Sequence, residues 1–220
     1  MTDLVTLTNE NKAALRDRAL VEILQGKVIV VAAEHGYIYL CDAFNRGAVD
    51  RIHILRADNP GTAAQVLVGD ISAVSGIAKD FDSDLQTLTK VFWPGLLTIQ
   101  LAPQPSLNWD LGDDRSLGEF ALRVPNTDFL LAILRKSGPL AAASASPSGH
   151  APTRELRESP ILQSEIGLIV DEGTLPEGPA STVLRRQIIG QSGGLEVVRD
   201  GAISLDALQG VLPAISAANP

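Results

Sequence analysis

The sequence predicts a layered α/β fold with one twisted, mixed sheet, and three observations support this prediction. Strand-like and helix-like segments alternate along most of the chain. The segment 27–33 is apolar at successive positions, as expected for a strand that is covered on both faces. The 220 residues, of which 45% are hydrophobic and 4% aromatic, are enough for one domain with an aliphatic core. In such a fold we expect the functional site in the turns between elements.

Helices are predicted where apolar residues recur at helical spacing. The first, over 9–26, has candidate caps before it and Gly26 at its end. The others are predicted over 46–56, 69–77, 80–91, 127–137 and 204–211. Further strands are predicted over 63–68, 96–102, 119–124, 139–143, 166–171, 180–185 and 195–199.

Two connections and the chain end complete the prediction. The segment 103–118 contains two Pro and two Gly residues, which indicates a long loop that we expect to be the most mobile part of the chain. A second loop, rich in Ser, Pro and Gly, spans 144–152. We predict a single domain over 1–220, with a core of about 9–212 and a short frayed tail.

Composition and charge exclude several classes of protein. With 18 Lys and Arg against 26 Asp and Glu, the net charge of −8 disfavours RNA binding, because affinity for nucleic acid depends on neutralising phosphates. The single cysteine, Cys41, cannot form an internal disulfide, and no export signal is visible, so a cytoplasmic location is expected. No apolar run approaches the ~18–20 residues needed to span a bilayer, so no membrane role is predicted.

Four segments, taken in order, carry a resemblance to a known family. They are FWPGLLTIQL at 92–101, ALRVPN at 121–126, GPLAAASASPSG at 138–149, and ASTVL at 180–184 followed by VVRDGAI at 197–203. They are similar to the WPGPLT, RVP, SANxSG, STVV and LRPGAI motifs of the YrdC-like threonylcarbamoyl-adenylate synthase family. PSLNWDLGD at 105–113 additionally resembles a loop of actinobacterial members. The chain is therefore identified as a diverged, actinobacterial-type relative of this family.

The resemblance implies an open sheet whose concave face receives the ligands. It also implies a nucleotidyltransferase that joins ATP, L-threonine and bicarbonate into threonylcarbamoyl-AMP and pyrophosphate, for modification of tRNA. ATP and Mg²⁺ would enter as a substrate complex, without a tightly bound cofactor, and tRNA-modification proteins would be partners. Positioning and charge neutralisation would supply most of the catalysis.

Matching positions give the site residues that the resemblance implies. Those for the nucleotide are Arg56, Ser144, Ser146, Ser181 and Arg199. Those for the amino acid are Tyr37 and Arg123. No catalytic residue is assigned, and a zinc site is not expected, because neither His35 nor His53 has a Cys or acidic partner at metal-ligand spacing.

Three positions depart from the family pattern. Ala33 and His35 replace the threonines of a PTDTVYGLG segment, so two hydroxyl donors are lost. A Lys-Gly-Arg triplet becomes Arg56, Ala57 and Asp58, which places an anion where a cation would face phosphate. Such a reversal would convert attraction into repulsion of roughly 4 kcal/mol per unit pair at ~4 Å and an effective dielectric constant of about 20.

Several alternatives stay open on the sequence alone. The chain is an active synthase, a catalytically impaired paralogue that binds a nucleotide, amino acid or RNA without turnover, or an enzyme whose specificity His35 and Asp58 have shifted. Tyr37 is equally well a packed core aromatic, and Arg199 a surface ion-pair residue. Trp109 either covers a pocket or anchors the 103–118 loop.

Overall fold

The sheet is the frame of the molecule, in a computed structural model that describes residues 3–116, 118–157, 159–186 and 194–217. Eleven strands in these ranges form one mixed sheet in the order β1-β8-β2-β3-β7-β4-β6-β5-β9-β10-β11. In chain order they are β1 (Leu4–Thr6), β2 (Ile29–Ala32), β3 (Tyr37–Asp42), β4 (Gln65–Leu67), β5 (Leu97–Leu101), β6 (Phe120–Arg123), β7 (Leu140–Ser144), β8 (Leu168–Asp171), β9 (Thr182–Arg186), β10 (Leu195–Arg199) and β11 (Ser216–Ala217).

Six α-helices accompany the sheet within the described ranges. They are α1 (Lys12–Leu24), α2 (Arg46–Arg56), α3 (Val74–Ile77), α4 (Ser83–Phe92), α5 (Asp128–Ser137) and α6 (Leu205–Val211). Side-chain caps define three of their starts: Asn45 accepts from Ala48 N, Asp82 from Leu85 N, and Ser204 from Ala207 N. Each cap satisfies a backbone N–H that has no partner within its own helix.

Both faces of the sheet are covered, as the apolar run at 27–33 predicts. On β2, Ile29 and Val31 pack into a cluster with residues of α1 and α5. Val30 points to the opposite face and joins the larger cluster, which contains residues of α2 and α4. Alternate side chains therefore enter two different cores, which explains why the strand is apolar at every position.

Antiparallel pairing of the central strands sets up the site. β3 and β4 flank β7, with Ile38 opposite Ser144 and Gln65 opposite Ala142. On the other side, β5 pairs in parallel with β9 so that Leu97 lies opposite Thr182. The ends of the strands, and the segments next to them, carry most of the polar residues described below.

The structure differs from the sequence prediction at several elements. β1, β3 and β11 were not predicted as strands, and β11 pairs with β10 where a frayed tail was expected; residues 218–220 lie outside the described ranges. The predicted helix over 69–77 is a 3-10 turn, Ile71–Ala73, that leads into the four-residue α3. β1, β11 and α3 have three, two and four residues, too few to show a clear periodicity.

The 103–118 loop packs against the body of the protein over much of its described length. Trp109 is buried, with its ring centroid 4.9 Å from that of Phe120 and 5.6 Å from that of Phe44. Its mobility stays a prediction. Within the described ranges, no helix has the length and apolar character needed to cross a bilayer.

Candidate functional site

A cleft of about 390 Å³ lies among β3, β4, β7 and the segments that precede β5 and β9. Nine of the ten residues singled out from the sequence line it: Ala33, His35, Tyr37, Arg56, Asp58, Arg123, Ser144, Ser181 and Arg199. The tenth, Ser146, is buried behind the lining, with its Oγ 2.8 Å from that of Ser144. The fold thus brings together residues more than 160 positions apart in the sequence.

Arg56, at the end of α2, is tied to the serine loop. Its Nε donates to Asp58 Oδ2 at 2.9 Å, and its Nη1 donates to the carbonyl oxygens of Ser144 and Ser146. The Arg56 carbonyl in turn accepts from Ser148 N at 2.8 Å. Arg56 therefore holds the 144–148 backbone in place.

The carboxylate of Asp58, in the wall of the cleft, is held by neighbouring side chains, chiefly Arg56 and His53. Its side chain is only 1% exposed, and its Oδ2 also lies 2.9 Å from His53 Nδ1. Burial by itself would raise the pKa of Asp58, but hydrogen bonds from Arg56 and His53 outweigh burial and lower that pKa. The anion inferred from the sequence is present, and Arg56, the last residue of α2, compensates its charge.

Arg123, at the end of β6, forms a second buried ion pair. Its Nη1 donates to Glu34 Oε1 at 2.7 Å, and the same oxygen accepts from Asn126 N at 2.7 Å. Burial by itself would raise the pKa of Glu34, but the Arg123 charge and the hydrogen bond from Asn126 N lower that pKa by more. The net effect is a pKa below the ordinary value of a glutamate. The Arg123 Nε is buried without a hydrogen-bond partner among the described residues.

Arg199 lies at the end of a chain of polar side chains that crosses β4, β5 and the start of β9. Its Nη2 donates to Ser181 Oγ at 2.9 Å and to the Ser181 carbonyl at 2.8 Å. Ser181 Oγ lies 2.8 Å from Thr98 Oγ1, which accepts from Gln65 Nε2 at 3.0 Å. Burial and the nearby Arg123 charge lower the pKa of Arg199. Two guanidinium groups thus share one region of the cleft.

Tyr37 directs its hydroxyl towards the residues at and just after the end of β8. That oxygen lies 3.0 Å from Asp171 Oδ1 and 2.8 Å from the Gly173 carbonyl, and it accepts from Glu172 N at 2.9 Å. Burial is the main cause that raises the pKa of this phenol. The contacts favour a structural role at the end of β8, and binding of an amino acid by Tyr37 stays a prediction.

His35 occupies a confined place in the lining. A Cβ added to Gly178 would lie 2.4 Å from the His35 ring, so only glycine leaves room for it. His35 Nδ1 is buried with no hydrogen-bond partner in the described ranges. The ring therefore presents an unused polar atom in the turn between β2 and β3.

Other residues considered from the sequence lie away from the cleft. Trp109 is not part of its lining, and its two ring contacts favour the interpretation that it anchors the loop. Cys41 is fully buried, and burial raises the pKa of its thiol, as expected for an inert core cysteine. Across the ranges that the structure describes, no cluster of His, Cys, Asp and Glu could hold a metal ion.

Sequence reasoning missed several polar residues of the site. Glu34, Gln65 and Thr98 each pair with a predicted residue or with one of its partners. Gln65 and Thr98 are polar residues inside otherwise apolar strand segments, which is a signal that could have found them. The contacts of His53 were also missed: its Nδ1 lies 2.9 Å from Asp58 Oδ2, and its Nε2 lies 2.8 Å from the carbonyl oxygen of Leu111, 58 positions away.

Comparison with known proteins points to one family. A family model named for Sua5, YciO and YrdC, described as telomere recombination, matches residues 22–201. A Bacillus subtilis threonylcarbamoyl-AMP synthase is 32% identical over 182 residues, which cover 80% of this chain and 51% of that protein. A Mycobacterium tuberculosis protein, provisionally named as the same enzyme, is 29% identical over 86% of this chain and 85% of its own length.

Solved structures share the fold. Pyrococcus abyssi Sua5 complexed with L-threonine superposes with a TM-score of 0.83 at 23% identity, covering 99% of this chain and 62% of that one. Escherichia coli YciO superposes with a TM-score of 0.78 at 21% identity, covering 94% and 98%. This chain thus spans about half of the Bacillus protein and less than two thirds of the Pyrococcus one.

Proposed function

We propose, from the premise that the chain belongs to the Sua5/YciO/YrdC family, that it makes L-threonylcarbamoyl-AMP for tRNA modification. The threonine amine would capture bicarbonate with loss of water, and the resulting carbamate oxygen would attack the α-phosphate of ATP. Pyrophosphate would leave. Relatives named for this activity support the proposal, together with the Sua5 complex with L-threonine.

The single observation that carries the proposal is the cluster of donors at Arg123, Ser181 and Arg199. Arg199 donates to Ser181 Oγ, and the charge of Arg123 reaches Arg199. A carboxylate and a phosphate oxygen are the groups that such a paired-guanidinium region would attract. We assign Arg123 to the amino acid, and Ser181 and Arg199 to the nucleotide.

Ser144, Ser146 and Arg56 complete the proposed nucleotide side. The Ser144 hydroxyl lines the cleft beside the 144–148 backbone, which Arg56 orders. Mg²⁺ would arrive with the phosphates, because both carboxylates of the lining, Glu34 and Asp58, are engaged by arginines. A cytoplasmic location and contact with tRNA-modification proteins are part of the same proposal.

A second candidate, a protein that binds these ligands without turnover, is favoured by Asp58. The pairing of Asp58 with Arg56 removes a cation that the triphosphate would otherwise meet. The Ser146 hydroxyl lies 2.8 Å from that of Ser144. A serine at this position can also form fewer hydrogen bonds to a ligand than an asparagine could.

Product formation distinguishes the two candidates. We expect the purified protein, given ATP, L-threonine and bicarbonate, to release pyrophosphate and form threonylcarbamoyl-AMP, detected by mass spectrometry, only when all three are present. Arg123→Gln should reduce the rate at least about tenfold. A folded protein that is silent, but gains activity as Asp58→Arg or Ser146→Asn, would establish the binding candidate instead.

A further inference from the structure

Most of the arginines that line the cleft are already paired with carboxylates of the protein. Three arginines and two carboxylates line it, so its formal charge is +1 when the histidines are neutral. Arg56 pairs with Asp58, and Arg123 pairs with Glu34. Among the arginines of the described lining, only Arg199 has no carboxylate partner, since it rests on the neutral oxygens of Ser181.

Arg56 is restrained in geometry as well as in charge. Its Nε and Nη1 are both used by Asp58 and by the carbonyls of the serine loop. To grip a phosphate with its planar fork, Arg56 would have to release the loop that forms one wall of the cleft. Its Nη2 alone is left, and Asp58, which is almost fully buried, cannot be replaced by water as its counter-ion.

We infer that Asp58 is a specificity-determining residue that makes Arg56 a clamp of the serine loop, so that the cleft gains little affinity from the β- and γ-phosphates of a nucleotide. Each phosphate beyond the first adds about one negative charge. In this cleft the added phosphate charge meets the Arg56–Asp58 pair, whose opposite charges already cancel. A nucleoside monophosphate should therefore bind almost as tightly as the triphosphate.

The inference rests on the proposed function in one respect, that the cleft accepts an adenine nucleotide. It adds that retention of the nucleotide comes from the adenosine, the first phosphate and Arg199. A synthase built in this way would hold its adenylate product about as firmly as ATP. Its Michaelis constant for ATP would be high relative to that of a relative with an unpaired cation at this position.

Titration of the purified protein with AMP, ADP and ATP, each with Mg²⁺ and followed by calorimetry, tests this. For the unaltered protein we expect the three dissociation constants to agree within about threefold. Asp58→Asn keeps the shape and an acceptor for Arg56 Nε but removes the charge, so ATP should gain at least about tenfold over AMP.

Asp114→Asn is the matched control. It removes the same charge from a side chain that is 82% exposed and lies outside the cleft lining, where its Oδ1 is 3.0 Å from Arg46 Nη2. Its ratio of ATP to AMP affinity should equal that of the unaltered protein. Thermal melting verifies that each variant is folded.

The outcomes separate this inference from the proposed function. If the unaltered protein binds ATP tenfold or more tightly than AMP, the inference is overturned while the proposed function stands. The same holds if folded Asp58→Asn keeps the original ratio. If no adenine nucleotide binds to either form, the proposed function fails and the inference fails with it. The unaltered protein provides a test even if Asp58→Asn does not fold.

Discussion

Glu34 Oε1 lies 2.7 Å from Arg123 Nη1 and 2.7 Å from Asn126 N, so one carboxylate oxygen joins the turn after β2 to the end of β6. The two side chains of the ion pair are 11% and 8% exposed. A pair so shielded from water is poorly screened by salt. It also fixes the guanidinium that we assign to the amino acid.

Removing the charge of Glu34 should therefore destabilise the fold. Glu34→Gln leaves Arg123 buried without its counter-ion, and we expect the free energy of unfolding in urea to fall by about 2–3 kcal/mol. The matched control is Glu177→Gln. The Glu177 side chain is 88% exposed, and its Oε2 lies 3.6 Å from Arg154 Nη1, so the variant breaks an exposed ion pair. That variant should lose no more than about 0.5 kcal/mol. Equal losses in both variants would show that the buried pair has no special weight.

Acid should weaken the fold through the same two carboxylates. The pKa values of Asp58 and Glu34 lie below their ordinary values of 3.8 and 4.5, so folding stabilises the ionised forms. This stability is fully present above the ordinary values and is lost as the pH falls through the lower values of the folded state. The sign is therefore a loss of stability on acidification below about pH 4.5.

Urea unfolding midpoints measured from pH 7 to pH 3 check this direction. Asp58→Asn should be less stable than the unaltered protein at pH 7, and the difference should shrink as the pH falls, because protonation removes the same charge. Asp114→Asn should follow the unaltered protein throughout, since its ion pair is exposed. A gap that stays constant with pH would contradict the assignment to Asp58.

The sequence predicted the fold well where elements are long or fully buried. Helix 46–56 has the predicted bounds, and α5 differs by one residue, because apolar residues recur at helical spacing in both segments. β1 and β11 escaped prediction because they have three and two residues and are specified by their partners, β8 and β10. Pairing between distant segments leaves no local pattern.

For the site, motif matching located the residues but not their partners. It placed Asp58 in the cleft, as the structure also does. Motif matching treated the Asp58 charge as uncompensated. Arg56 reaches Asp58 only because α2 ends in a left-handed turn at Ala57, with φ +52°, which the sequence did not reveal. Motif matching also did not reveal the partners of the Tyr37 hydroxyl, because they lie 134 to 136 positions further along the chain. Charges and hydroxyls are thus predictable by type, while the pairs they form require the fold.

Tyr37→Phe tests the structural role of that hydroxyl. The variant leaves Glu172 N without its acceptor and removes one of the two hydrogen bonds to Asp171 Oδ1, so the free energy of unfolding should fall by about 1–3 kcal/mol. Tyr39→Phe is the control on the same strand, since the hydroxyl of Tyr39 forms no hydrogen bond within the described ranges. Calorimetry with L-threonine should show affinity unchanged within about threefold for both. Loss of threonine binding by Tyr37→Phe alone, with stability retained, would support the assignment of Tyr37 to the amino acid and contradict the structural role.

Gly112→Ala tests how the 103–118 loop is held beside the site. Gly112 has φ +101°, and a Cβ there would lie 2.2 Å from His53 Nε2, which is 2.8 Å from the Leu111 carbonyl. The methyl group would displace His53 and strain the backbone, so we expect a loss of at least about 2 kcal/mol in urea unfolding. Gly118→Ala, in the same loop at φ +68° with open space around it, should lose only about 1 kcal/mol. His53 also contacts Asp58, so Gly112→Ala should shift the ratio of ATP to AMP affinity. Gly118→Ala should leave that ratio unchanged. Equal ratios in the two variants would show that the loop and the cleft are independent.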